Sequence, residues 1–201
     1  MLKTLFKGGD DERQAAPGMA YAYRASLIGA AHRYVLTDEG LLWRTGRRHG
    51  VWPYADIVSV RLSYRPMGMQ HRRYRADLRD VGGRRITIFS TSKQTAALMQ
   101  PQSGYSTFIV NLHRRLAAVD STARLRAGLG RGIYNSIMAL LACVALAMAA
   151  LLLRALFVGE FAGALFVVGF GALFGWQIGG FLRRNRPRRY TFDDVPKELL
   201  P

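Results

Sequence analysis

The sequence predicts an α+β fold: an antiparallel β-barrel or sandwich capped by one C-terminal helix, followed by a two-helix transmembrane hairpin. Three observations lead there. Residues 133–153 and 161–182 are two apolar runs, each close to the ~20 residues a helix needs to cross a hydrocarbon core. Residues 20–90 consist of short extended runs broken by turn residues, with period-two alternation clearest at 73–79. Residues 105–118 place Tyr105, Phe108, Ile109, Leu112 and Leu116 at helical spacing.

Taken in order, residues 1–19 form a flexible N-terminus; the basic stretch 1–7 lacks the long apolar core of a secretory signal. Strands follow at 21–28 and 33–37, then a turn at Asp38, Glu39 and Gly40, and a return strand at 41–45. Residues 46–50 read as the next turn, and 51–53 as a short strand whose Pro53 suits an edge or an end. In 57–64, Val58, Val60, Leu62 and Tyr64 fall on one face, with Ser59, Arg61 and Ser63 on the other. In 73–79, Tyr74, Ala76 and Leu78 oppose Arg73, Arg75, Asp77 and Arg79; residues 80–83 turn the chain into 84–90. One or two helical turns are expected over 93–99 and a break at 100–104. After the capping helix, 121–132 reads as a polar linker into the first span.

The phrase Arg33-Tyr-Val-Leu-Thr-Asp-Glu-Gly40, followed by Val51-Trp-Pro-Tyr-Ala-Asp-Ile-Val-Ser-Val-Arg61, resembles bacterial pleckstrin-homology-like (PH-like) domains. The resemblance covers roughly residues 20–120 and implies about seven antiparallel strands closed by one helix, a scaffold whose fold does not dictate function. Two departures stand out. Many bacterial relatives carry their membrane helices before this domain, whereas here they follow it. The inositide-binding pattern of eukaryotic relatives is not met by Arg24 and Arg33, so inositide recognition is not carried over.

Arginine placement orients the hairpin. Arg114, Arg115, Arg124, Arg126 and Arg131 precede it; Arg183, Arg184, Arg186, Arg188 and Arg189 follow it, in a basic segment and tail spanning 183–201. The intervening loop holds only Arg154, offset by Glu160. The positive-inside rule then puts both termini on the cytoplasmic side of an inner membrane, as a two-span protein. Gly171, Gly175 and Gly179 form a small-residue face on the second run, and Ala139, Cys143 and Ala147 a comparable stripe on the first. Such faces serve packing of the two helices within one chain, or a homo-oligomer or membrane-protein partner.

Catalytic motifs are absent: no Gly-x-Ser-x-Gly, His-Glu-x-x-His or Walker loop occurs, so a non-catalytic role with no cofactor or metal is expected. His32, His49, His71 and His113 read as surface or turn residues, Cys143 as a small packing residue, and the glycines from Gly128 to Gly132 as a flexible joint. The net charge of +16 calls for an acidic partner. Beside a membrane that is first anionic lipid, at about 1 kcal/mol per nearby Lys or Arg, with nucleic acid ranked lower. Arg47 and Arg48 at one turn, and Met67, Met69, Arg72, Arg73 and Arg75 around another, form the candidate surface for lipid or a protein partner; the other reading is a solvated charged face. The acidic-apolar tail 190–201 folds back on the basic domain, offers a docking peptide, or is a disordered end. The expected role is an interaction or scaffold module at the membrane, with an accessory subunit of a membrane complex as the alternative.

Overall fold

The computed structural model describes residues 18–26, 30–65, 73–93 and 99–201, which divide into two compact units. One comprises residues 18–127 together with 189–201; the other comprises 128–188.

The first unit opens with a four-stranded antiparallel meander of β1 (Ala20–Tyr23), β2 (His32–Leu36), β3 (Leu41–Thr45) and β4 (Arg48–Trp52). The β2–β3 turn is the predicted one, and Gly40 is required in it, because a side chain there would strike the Trp52 carbonyl. The next turn is shorter than the sequence suggests. Thr45 pairs with Arg48, so only Gly46 and Arg47 form the loop, and a φ of 63° at Gly46 suits glycine. Arg48, His49 and Gly50 are therefore strand residues.

A second sheet has the order β11–β10–β5–β6–β7, from β5 (Ile57–Tyr64), β6 (Tyr74–Asp80), β7 (Arg85–Phe89), β10 (Arg124–Ala127) and the two-residue β11 (Arg188–Arg189). Two expectations fail here. Residues 124–127, read as linker, form a strand, and that strand runs parallel to β5, so the sheet is mixed rather than wholly antiparallel. Val58 does not join the core face. The register slips between Ile57 and Ser59, a bulge that turns Val58 outward and places Ile57 inward instead. The β6 alternation holds: Tyr74, Ala76 and Leu78 are buried, and Asp80 caps the β6–β7 turn by accepting from the Arg84 backbone N–H and guanidinium. A short ladder joins β8 (Thr91–Lys93) to β9 (Met99–Pro101), so both ends of the expected 93–99 helix are extended; residues 94–98 lie outside the described residues.

Tyrosines close the gap between the sheets. Tyr23 donates to the Thr87 carbonyl at 2.8 Å, Tyr34 to the same oxygen at 3.3 Å, and Tyr21 to the Phe89 carbonyl. These carbonyls belong to β7, the end strand of its sheet, and the phenols satisfy them where a further strand would. Helix α1 (Tyr105–Ala118) covers the core with the five predicted apolar residues, all fully buried, each worth about 1.5–3 kcal/mol of transfer free energy.

His113 departs from expectation: it is fully buried on α1. Its Nδ1 lies 2.7 Å from the Ile109 carbonyl and its Nε2 2.9 Å from the Tyr190 hydroxyl. A carbonyl only accepts, so Nδ1 carries the proton and Nε2 accepts from Tyr190. The tail thus packs back onto its own unit, through Tyr190 and a buried Leu199.

The second unit is a helical hairpin of α2 (Arg131–Val158) and α3 (Phe161–Arg184), turned by Gly159 and Glu160. At 1.5 Å per residue they are about 42 and 36 Å long. Both are long and apolar enough to cross a membrane. Gly171 of α3 lies against the Met148 methyl of α2, and the less exposed positions Ile137, Leu141, Met148, Leu152 and Ala155 on α2 and Ala164, Val167, Gly171 and Ile178 on α3 recur at heptad-like spacing. Ala139, Cys143 and Ala147 instead lie exposed. At the open end the chain entering α2 crosses the chain leaving α3. The Leu129 N–H donates to the Asn185 carbonyl at 3.0 Å, and Gly128, at φ 79°, leaves no space for a side chain beside the Asn185 and Arg186 carbonyls. Gly128 is a tight crossing point, not a flexible joint.

Candidate functional site: an arginine basin on the outer sheet face

The inward residues of β10, β5, β6 and β7 are apolar: Leu125, Val60, Leu78 and Ile86. Period two therefore sends their neighbours outward. The pairing registers align these into two rungs across four strands. One reads Arg124, Ser59, Arg79, Arg85; the other reads Arg126, Arg61, Asp77, Thr87. Residues directly opposite on adjacent strands sit about 5 Å apart at Cβ, so like charges there repel. The face outlines a cavity of about 280 Å³, lined by five arginines and a single carboxylate, Asp77.

Asp77 is already engaged. Its Oδ1 accepts from Arg75 Nε at 2.9 Å, Arg85 Nε at 3.1 Å and Thr87 Oγ1 at 2.7 Å, and its Oδ2 pairs with Arg85 at 2.7 Å. A carboxylate offers about four acceptor positions, so these donors fill it. Among the described residues no carboxylate forms an ion pair with Arg61, Arg79, Arg124 or Arg126. Arg61 lies deepest, half-buried in the middle strand. Burial and then Arg126 push its guanidinium below the ordinary arginine value; Asp77 opposes this, and Arg79 and Arg85 add to it. Arginine keeps its charge regardless, so the basin holds concentrated positive potential and a large set of planar N–H donors.

The residues nominated from sequence scatter by comparison. Arg47 and Arg48 are exposed at the tip of the β3–β4 hairpin. Met67, Met69 and Arg72 lie outside the described residues. Arg73 is half-buried with its guanidinium 3.6 Å from the centre of the Phe89 ring, and Arg75 is tied to Asp77. Arg183 and Arg184 occupy the last turn of α3, where cations complement the helix dipole, and Arg186, Arg188 and Arg189 follow. Of the glycine face, Gly171 meets the Met148 methyl; a side chain at Gly175 or Gly179 would meet nothing within 4 Å, so neither sits in the α2–α3 contact. No group of three or more His, Cys, Asp or Glu stands together among the described residues. The signal for the basin was in the sequence, as outward arginines flanking buried positions in Arg124-Leu-Arg126 and at Arg61, Arg79 and Arg85. What was missing was the parallel pairing that brings 124–127 beside 59–62. Comparison with protein-family models, curated proteins and solved structures finds no match to this chain.

Proposed function

We propose that the chain is a non-catalytic, membrane-anchored interaction module that presents a basic, PH-like unit to anionic lipid on the cytoplasmic face of an inner membrane. The observation that carries this reading is that the hairpin leaves and returns to one basic unit, since residues 18–127 and 189–201 belong together. Helices crossing a bilayer from such a unit enter and leave on the same side, in keeping with arginines on both flanks. The hairpin surface supports the address: Phe157 is 88 % exposed and Trp176 82 %, areas that water disfavours and hydrocarbon accepts. The test is vesicle flotation of the basic unit with residues 128–188 replaced by a flexible linker, so that the tail is retained. Binding to phosphatidylglycerol vesicles that fades with salt, and none to phosphatidylcholine, is expected. Failure to float with anionic vesicles at low salt overturns the reading.

A second reading, an accessory subunit or homo-oligomer docking through its spans, is favoured by the open faces of Gly175 and Gly179. Gly175→Leu then abolishes co-purification with any membrane partner; unchanged co-purification removes that contact.

A further inference from the structure

From the two arginine rungs we infer that the outer face of β10–β5–β6–β7 is a discrete binding site for a phosphomonoester dianion. The inference deepens the reading above and rests on it only for the membrane source of that ligand.

The geometry selects the chemistry. Five arginines against one aspartate leave the lining formally at +4, and that aspartate is consumed by Arg75, Arg85 and Thr87. A solvated charged face separates its like charges or alternates them with acids. Here Arg126 stands opposite Arg61 with no acid between them, and Arg79 opposite Arg85; Asp77 faces Arg61 from β6 but spends its oxygens on Arg75, Arg85 and Thr87, so only Arg85 of these four is neutralised. Like charges directly opposite destabilise a sheet, and the Arg126–Arg61 pair has no anion of its own to offset this. Arg61 is the informative member, because it is half-buried, central and without an ion pair among the described residues. A carboxylate ligand brings two oxygens and one charge. A phosphomonoester brings three acceptor oxygens and a charge of about −1.5 to −2 at neutral pH, enough to engage guanidinium forks from three strands at once. Ser59, between Arg124 and Arg79, adds a hydroxyl donor. A cavity of about 280 Å³ falls just below the range of sites for drug-sized ligands, about 300–1,000 Å³, and so suits a smaller, headgroup-sized anion.

The same chemistry arises from a lipid headgroup or from a free phosphate. Chain connectivity favours neither by itself but makes the first reachable. Arg126 precedes Arg131, the first residue of α2, by five residues, an extended reach of at most about 18 Å.

The experiment uses the full chain in phosphatidylcholine nanodiscs, titrated calorimetrically with inorganic phosphate against chloride at matched ionic strength. Saturable phosphate binding is expected, weakened at least tenfold in Arg61→Gln/Arg126→Gln and less than twofold in Arg24→Gln/Arg114→Gln, which removes the same charge elsewhere. Should the first pair fail to fold, Arg79→Gln/Arg124→Gln, at two exposed positions, takes its place. Arg61→Lys/Arg126→Lys keeps the charge and loses the planar forks, and is expected to weaken binding as well. Wild-type binding in the glutamine or lysine variants, or no preference for phosphate over chloride, overturns the site. Two further discs, containing phosphatidic acid or phosphatidylglycerol at equal mole fraction, separate the sources. Phosphatidic acid that blocks phosphate uptake identifies a headgroup, whereas uptake unaffected by it identifies a soluble ligand. Salt-sensitive binding of the basic unit to anionic vesicles with no phosphate site would sink this inference alone; a phosphate site without that vesicle binding would sink the function proposed above alone.

Discussion

Tyr105 and Tyr190 bury chemically identical hydroxyls with opposite consequences. The Tyr105 hydroxyl has no hydrogen-bond partner among the described residues, whereas that of Tyr190 donates to His113. Removing an unpartnered buried hydroxyl relieves a desolvation penalty; removing a partnered one strands its acceptor. Tyr105→Phe is therefore expected to leave the melting temperature unchanged or raise it, and Tyr190→Phe to cost about 1 kcal/mol, or more because His113 Nε2 is left unsatisfied. Thermal melts of the two variants check this. Protonation gives a second test. Burial holds the His113 imidazole below the usual histidine value, against the hydrogen bond to Ile109. An unfolded chain takes up that proton near pH 6.5, so the stabilisation is present above that pH and is lost as pH falls below it. Burial likewise pushes Tyr23 and Tyr54 up to about 12, against about 10 unfolded, so their contribution is intact below pH 10 and is lost between about 10 and 12. Melting temperature across pH should fall at both ends, and the acid limb should shrink in His113→Gln. The burial of His113 had a sequence signal, since it follows Ile109 by four residues and so shares its helix face. Its second partner lies 77 positions away and had none.

At the scale of elements, local features were legible and distant pairings were not. The β2–β3 and β6–β7 hairpins follow from period-two alternation and adjacent turn residues, and α1 from a stripe of five apolar residues. Each needs only neighbours in the chain. Strand β10 reads as a polar linker because Arg124-Leu-Arg-Ala127 is too short to show a pattern, and its partner β5 lies far upstream. The bulge at Val58 is equally invisible, since a register slip depends on both strands. Turn glycines divide in a way that only the structure shows. Gly46 has positive φ and open space, so Gly46→Ala costs only the left-handed backbone penalty, about 1–2 kcal/mol. Gly128 has the same backbone sign but sits against two carbonyls, so Gly128→Ala adds a steric clash and is expected to cost more than Gly46→Ala. Parallel denaturation of the two variants decides it; equal losses would mean that the 128–185 crossing opens easily. In the hairpin, apolar run length gave both helices within a few residues of their ends, while of the small-residue faces only Gly171 lies against the other helix. Small side chains marked Ala139 and Ala147, which are exposed, whereas the less exposed positions of α2 are the larger Leu141, Met148 and Leu152, at heptad spacing.

On the scale of the whole molecule, the unit of residues 18–127 and 189–201 is discontinuous in sequence. Deleting residues 189–201 removes Tyr190 and Leu199 and uncovers His113 on α1. The expected result is a lower melting temperature and faster proteolysis within 18–127; unchanged proteolysis would show that the tail adds nothing to that unit. The architecture was legible to the extent that it is local: a sheet-rich basic unit, then two helices long and apolar enough to cross a membrane. That the unit resumes after the hairpin was one of three readings open for the tail, because acidic-apolar composition is compatible with docking anywhere. The discontinuity has a consequence for synthesis. Tyr190 leaves the ribosome about 60 residues after Ala127, a lag of about 3–12 s at ordinary elongation rates. Throughout that interval His113 waits without its second hydrogen bond while both apolar helices emerge. The unit can reach its final stability only after the hairpin has been made in full, so a chain whose synthesis stalls within the hairpin carries an unfinished domain, open to the proteases that act on unfolded chains.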